Sequence, residues 1–396
     1  MPPPEKLSIF RALSHSPRSQ VILTLALAVL IPLVLQAGSV FKRFGGHPTS
    51  LFQIGEAFYS QGPEEILGFK PYVHAGSVGF DGQFFYFLAH DPLLRHGVYR
   101  FLDDPRLRAQ RIGYPMLAWA LALGIKPLIP LSLYLINMAA LVGCVALLGT
   151  RARRMGHSYA YGLLFVFCIS TITVVTTMTC EVVTTFFLLL AFVFHEQKRT
   201  LPLFGATLLA LFTKEICLLW VAALILHALV ERRWGLLPGC VGIVAVWVAW
   251  QSYLARQIPA PYLTQSTLQN FDWPLKGAVE QITHLVGEHR HVLKNHGYDF
   301  GLMLTLLSMA CRGLWALRGR GWRDPVTLLF AAGGACAFCL SRVCWDWSGN
   351  FARQLFILLA VALWTMPLTR WAKCDTYGHI AFSLWQTYAK ILRKVV

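Results

Sequence analysis

Ten stretches of this chain, at about 19–38, 128–149, 158–177, 180–195, 201–213, 215–230, 235–255, 299–317, 325–343 and 352–370, are apolar almost throughout. A helix that crosses a bilayer needs roughly 20 mostly apolar residues. Only 14% of the 396 residues are charged, against about 25% in a soluble domain. A soluble enzyme, a disordered chain and a coiled coil are therefore excluded. What remains is an all-α polytopic membrane protein with about ten transmembrane helices. Runs 201–213 and 215–230 are short for full spans, and read as tilted pieces or as one broken helix.

Basic residues set the orientation. Lys6, Arg11 and Arg18 precede the first run, and Arg151, Arg153 and Arg154 follow the second. Lys198 with Arg199, Arg232 with Arg233, and Arg318, Arg320 and Arg323 fall at alternate connections, while Arg370, Lys373, Lys390, Arg393 and Lys394 lie at the end. Placing all of them in the cytoplasm gives N-in, C-in and an even number of spans. The first run reads as an anchor; its apolar stretch is long for the core of a signal peptide, although Ala37-Gly38 would suit cleavage. The segments are then a cytoplasmic N-terminus with the first span (1–38), a first outward loop (39–127), spans two to seven (128–255), a second outward loop (256–298), spans eight to ten (299–370) and a basic cytoplasmic tail (371–396). The net charge of +16 fits cytoplasmic anchoring, or lipid phosphates held at a basic outward face. No zinc-finger, RNP or basic-helix pattern points to nucleic acid.

The first outward loop is rich in aromatics and is expected to lie against the membrane, with short interfacial helices at 49–60, 83–90 and 114–123. At its centre is Gly79-Phe80-Asp81-Gly82-Gln83-Phe84-Phe85-Tyr86. Its two glycines permit a tight turn and the close approach of a ligand. Asp81 then opens an aromatic helix, as an N-cap, as a catalytic carboxylate or as both. His90-Asp91-Pro92, Asp103-Asp104-Pro105 and Arg108-Ala109-Gln110-Arg111-Ile112-Gly113-Tyr114-Pro115 follow. Acidic and basic groups alternating near the membrane suit a phosphate-linked donor and a hydroxyl or amine acceptor, although Asp-Pro pairs also start ordinary turns.

These motifs resemble those of bacterial integral-membrane glycosyltransferases with a GT-C fold, which read roughly YDGQFYY, LDP, DxP and YRYQRILYPLLAW. The resemblance continues through Thr179-Cys180-Glu181, Phe212-Thr213-Lys214-Glu215 and Asn350-Phe351-Ala352-Arg353, and so reaches about residue 355. Phe80 stands where the group usually has Tyr, Val182 where it has Pro, and His90 where Leu is common; no acidic position is lost. The resemblance implies a polyprenyl-phosphate sugar as donor, a glycan, glycolipid or protein as acceptor, and a site facing the periplasm from a bacterial inner membrane. It makes Asp81 the residue that takes the acceptor's proton, as general base catalysis requires. A lipid-phosphate leaving group needs cations, and Arg111, Lys214 and Arg353 are the expected phosphate contacts. Gln83, Tyr86, Asp91, Asp103, Asp104, Tyr114, Glu181 and Glu215 are expected to line the site.

Each has a plainer reading. Lys214 and Glu215 would pair at the interface, and Arg353 would pair with Asp346. In the second outward loop, Glu288 and His291 are three apart and would share one helical face. Some relatives in the resembling group use a divalent cation, so the two are candidate metal ligands; a solvated, membrane-skimming helix over about 274–293 is the plainer account. No cofactor is otherwise implied. Two other function classes share this architecture: a lipid-linked-sugar flippase or transporter, against which stands the lack of internal repeats, and a scaffold subunit of an envelope-assembly complex.

Overall fold

A computed structural model describes residues 17–259, 269–288, 292–318, 321–345, 348–365 and 370–392. Among the described residues the fold is all-α apart from one pair of two-residue parallel strands and an isolated antiparallel bridge between Phe271 and Leu340. After α1 (Pro17–Arg43) come β1 (Ile54–Gly55), α2 (Glu56–Tyr59), α3 (Glu64–Leu67), β2 (Val73–His74), α4 (Gly82–His90), α5 (Pro105–Ala109) and α6 (Gly113–Leu121). The bundle continues with α7 (Ile129–Arg154), α8 (Ile169–Thr177), α9 (Glu181–Glu196), α10 (Thr200–Thr213), α11 (Leu218–Val230) and α12 (Leu237–Gln257). It closes with α13 (Lys276–Glu288), α14 (Val292–Trp315), α15 (Pro325–Phe338), α16 (Arg342–Trp345), α17 (Ser348–Gln354), α18 (Phe356–Thr365) and α19 (Arg370–Leu392). The strands pair Ile54 with Val73 and Gly55 with His74.

Among the described residues, three helices are long and apolar enough to cross a membrane: Arg18–Lys42, Lys126–Arg154 and Trp234–Gln257. The pair Tyr159–Phe165 and Ile169–Thr177, bent by 65°, makes a fourth if it counts as one span. Ile22, Leu30 and Val34 on α1 and Val241, Val246 and Val248 on α12 are exposed. Apolar faces of this extent mark contact with a membrane or a partner. Ten full spans, as expected from the runs, are not shown. Several runs fold as shorter helices, and the reason lies in their surroundings. Residues Phe356–Trp364 of α18 are all buried, so that helix is encased in protein. Trp220 on α11 donates to Thr207 on α10 at 3.1 Å, so these two turn back on each other at Lys214 rather than forming one broken rod.

The first loop is a packed subdomain. Segment 83–90 is helical as expected, but every residue of α4 is buried. A helix apolar on all sides is covered on all sides; Phe52 stacks on Tyr86, and Phe58 meets Phe84 edge-on. Segment 114–123 is also helical (α6), whereas 49–60 breaks into a 3-10 turn (Pro48–Phe52), β1 and α2. Tyr253 and Trp250 of α12 donate to the carbonyls of Leu93 and Ala109, tying the subdomain to the bundle.

The end of the chain carries a helix that the apolar runs do not mark. Segment 371–396, read as a cytoplasmic tail, is helical from Arg370 to Leu392 and packs along α14. Gly301 leaves room for Phe382, and Thr305 meets His379 at 3.3 Å. Its polar residues hid it from an apolar-run reading.

Candidate functional site

Two glycines seat the central carboxylate. Gly79 has φ +76°, in the region where side chains are strained. A Cβ on Gly82 would lie 2.0 Å from the Thr177 carbonyl oxygen. Only glycine lets the start of α4 rest against the end of α8, and this places Asp81 near the chain that turns into Glu181. Met178 makes that turn in the left-handed region (φ 52°). Gly113 does the same at α6: its Cβ would lie 2.9 Å from the Phe212 carbonyl carbon, which draws Arg111 to Glu215.

The result is a bonded set of three acids and three cations, with the Arg111–Glu215 pair close enough to act on it electrostatically. Asp81 Oδ1 accepts from Arg108 Nη2 at 2.9 Å, and Oδ2 lies 2.9 Å from Arg108 Nη1. Arg353 Nη2 donates to Asp81 Oδ2. The Nε and Nη2 of Arg108 also donate to Asp103, both at 2.8 Å. Arg353 Nε reaches Glu181 Oε1 at 3.2 Å, and Lys214 Nζ reaches the same oxygen at 2.9 Å. Arg111 forms a bidentate pair with Glu215 at 2.7 and 2.6 Å. Two guanidiniums lie over rings, Arg353 on Phe80 at 4.7 Å and Arg108 on Phe84 at 4.6 Å. Burial alone would push the Asp81 carboxyl up; the Arg108 and Arg353 guanidiniums outweigh it and hold it well below the usual carboxylate range. Arg108 is in turn more firmly protonated, since its carboxylate partners outweigh its burial.

The set is graded in exposure. The Lys214 and Glu181 side chains are 2% and 3% exposed, whereas Asp81 is 21% and Asp103 37% exposed. The deep pairs are a buried structural base and the shallow ones a mouth. Lys214 also donates to the Arg353 carbonyl at 3.3 Å and lies 5.0 Å from the Phe356 ring. It does not pair with Glu215, the plainer of its two expected readings; Glu181 takes it instead.

Of the expected site residues, Asp81, Asp103, Arg111, Glu181, Lys214, Glu215 and Arg353 come together here. The others make local contacts away from this set. Gln83 accepts from Gly55 N and donates to the Val78 carbonyl, both at 2.9 Å, bracing the turn. Tyr86 is fully buried on Phe52. Asp91 accepts from the amides of Arg95 and His96 at 2.9 and 2.8 Å. Asp104 caps α5 by accepting from Leu107 N at 3.3 Å. Tyr114 donates to the Leu133 carbonyl at 2.8 Å inside the core. Arg108 is the residue the sequence reading missed. Its signal was the Asp104-Pro105 cap, which starts a short helix and so returns position 108 toward Asp103.

His291 lies outside the described residues, as do the last side chains of α13, Glu288 included. Asp346, the proposed plainer partner of Arg353, is outside them too. Among the described residues no three His, Cys, Asp or Glu side chains converge as metal ligands. Asp81 and Asp103 both spend their oxygens on Arg108, so a divalent cation does not fit between them in this arrangement.

Behind the Asp81 turn is an apolar groove of about 760 Å³. Its walls include Leu33, Ala37 and Val40 of α1, Leu131 and Tyr134 of α7, and Phe52 and Met178. Phe52 touches the Asp81 turn, since its carbonyl oxygen is 3.0 Å from the Cβ position of Gly82. Comparison of the chain with protein-family models, curated proteins and solved structures finds no match.

Proposed function

We propose that the protein is a membrane glycosyltransferase of the GT-C type, moving a sugar from a polyprenyl-phosphate donor to an acceptor on the periplasmic face. The observation that supports this reading is a juxtaposition: a groove lined almost wholly by apolar groups has Phe52 in its wall, and Phe52 abuts the turn whose Asp81 carboxylate meets two guanidiniums. A donor with an isoprenoid chain, a phosphate and a sugar has chemistry for each part. Soluble sugar nucleotides have no use for the groove.

In the proposed step, an acceptor hydroxyl attacks the anomeric carbon. The bond from that carbon to the phosphate oxygen breaks, and the electron pair leaves with the phosphate. The acceptor's proton passes to Asp81. The phosphate gains one negative charge and Asp81 loses one, so the cluster's total charge is unchanged. Fixed cations at the leaving oxygen stabilise charge as it develops, without reorganising. Direct displacement inverts the anomeric centre.

In this reading the chain sits in a bacterial inner membrane with its N-terminus inside, and the shorter apolar helices complete a GT-C-like bundle. The test is transfer by purified protein from a radiolabelled polyprenyl-phosphate sugar to a membrane acceptor extract. Labelled product from wild type and none from Asp81→Asn supports the reading. Equal product from both removes Asp81 from the chemistry.

A further inference from the structure

Asp81 is bound as a phosphate would be. One guanidinium forks both of its oxygens, and a second caps one of them. Arginine forks match carboxylate and phosphate alike. Each guanidinium is also held independently of Asp81: Arg108 by Asp103 and the Phe84 ring, Arg353 by Glu181 and the Phe80 ring. Asp81 is the one carboxylate that these two share. Its departure would leave a two-armed cation clamp already in place, opening outward. Lys214 and Arg111, by contrast, pair with Glu181 and Glu215 rather than with Asp81.

Resting on the function proposed above, we propose that Asp81 occupies the seat of the donor's phosphate in the resting enzyme. The phosphate displaces it from Arg108 and Arg353, and the freed carboxylate turns to the acceptor. The donor therefore binds before the acceptor, and Arg108 is a phosphate-binding residue. A carboxylate gripped by two guanidiniums is a weak base, so release and activation are one event.

The test measures binding of a short-chain isoprenyl phosphate, and separately of inorganic pyrophosphate, to the full chain in detergent with chelator present. Asp81→Asn removes the competing anion and should tighten both by about tenfold, one ion pair's worth at 1.4 kcal/mol per decade. Arg108→Gln should weaken both and cancel the gain in the double variant. Unchanged or weaker binding by Asp81→Asn overturns the exchange, and so does absence of binding by every form. Tighter pyrophosphate with no isoprenyl phosphate binding upholds the exchange and defeats the lipid donor. Equal isoprenyl phosphate binding by wild type and Asp81→Asn does the reverse. Asp81→Glu, which keeps the charge, should bind as wild type does and so controls for folding.

Helix α19 carries a second inference from separate observations. It runs antiparallel to α14: Gly297 faces Trp385, Gly301 faces Phe382, Thr305 meets His379 and Arg312 pairs with Asp375 at 3.2 Å. Asp375, Thr376, His379, Ser383 and Gln386 are buried, while Tyr377, Leu384 and Trp385 are about half exposed. Water selects the opposite arrangement; ionisable groups turned inward under an apolar exterior are what lipid selects. The helix has 23 residues, about 34 Å at 1.5 Å per residue, enough for a core of about 30 Å. We infer that α19 crosses the membrane beside α14 and carries the C-terminus to the side opposite its Arg370 end, the periplasm. The full chain with alkaline phosphatase fused after Val396 should show phosphatase activity, and a fluorescent-protein fusion there should be dark. In the unfused chain, Val396→Cys should react with an impermeant thiol reagent on intact cells beyond the parental background. A fluorescent fusion, or no labelling above background, returns the C-terminus to the cytoplasm.

Discussion

Eight charged side chains make up this cluster, and each cation among them is held by a carboxylate. Lys214 is the most deeply placed. Replacing it with Met leaves Glu181 to Arg353 alone, and breaking a buried pair costs about 3–5 kcal/mol; thermal unfolding in detergent should show a large loss of stability. His90 makes a pH prediction. Burial pushes its imidazole down to about 4, so the folded protein keeps it neutral while the unfolded chain takes up a proton below about pH 6.5. Its contribution to stability is constant above that pH and falls as pH drops toward 4, by at most ~1.4 kcal/mol per unit. His90→Phe should flatten the unfolding temperature between pH 6.5 and 5; an unchanged slope would place the titration elsewhere. The carboxylates were legible from the sequence, because isolated acids near apolar runs stand out. Their partners were not. Arg353 and Asp81 are 272 positions apart, and no local spacing reports a pairing made by tertiary packing.

At the scale of elements, two tight turns set the site. Gly82→Ala forces a Cβ against the Thr177 carbonyl, which must shift either α4 or α8. That variant is expected to lose transfer and to unfold at lower temperature than wild type; retention of both would show that the contact yields easily. The break at Leu355 between α17 and α18 has a similar role, since it lets Arg353 reach Asp81. Periodicity located α4 and α6 well, because aromatic density and Pro115 mark them. It misplaced the character of α4: an interfacial helix and an encased one have the same composition when no polar face exists. Helix α19 failed in the opposite way. Its inward polar face lowers its average hydropathy, so a count of apolar residues passes over it.

For the whole molecule, the apolar groove lies at the junction of α1, α7 and the first-loop subdomain, and Phe52 on its wall abuts the turn that carries Asp81. Ala37 is on the exposed side of that groove, so Ala37→Trp would fill it without disturbing the core. The Michaelis constant for a long-chain donor should rise about tenfold, or ~1.4 kcal/mol, while a two-isoprene donor is unaffected; parallel increases for both would mean that the chain lies elsewhere. Membrane association was readable from the runs, whereas the count of full crossings was not, since a run enclosed by other helices need not reach both surfaces. The central claim is that this cluster transfers a sugar through Asp81. It is tested most directly by mass spectrometry of envelope glycans from a deletion strain, that strain carrying wild type, and that strain carrying Asp81→Asn at matched protein level. The account predicts a sugar-sized mass lost on deletion, restored by wild type and not by Asp81→Asn. Full restoration by Asp81→Asn would contradict it.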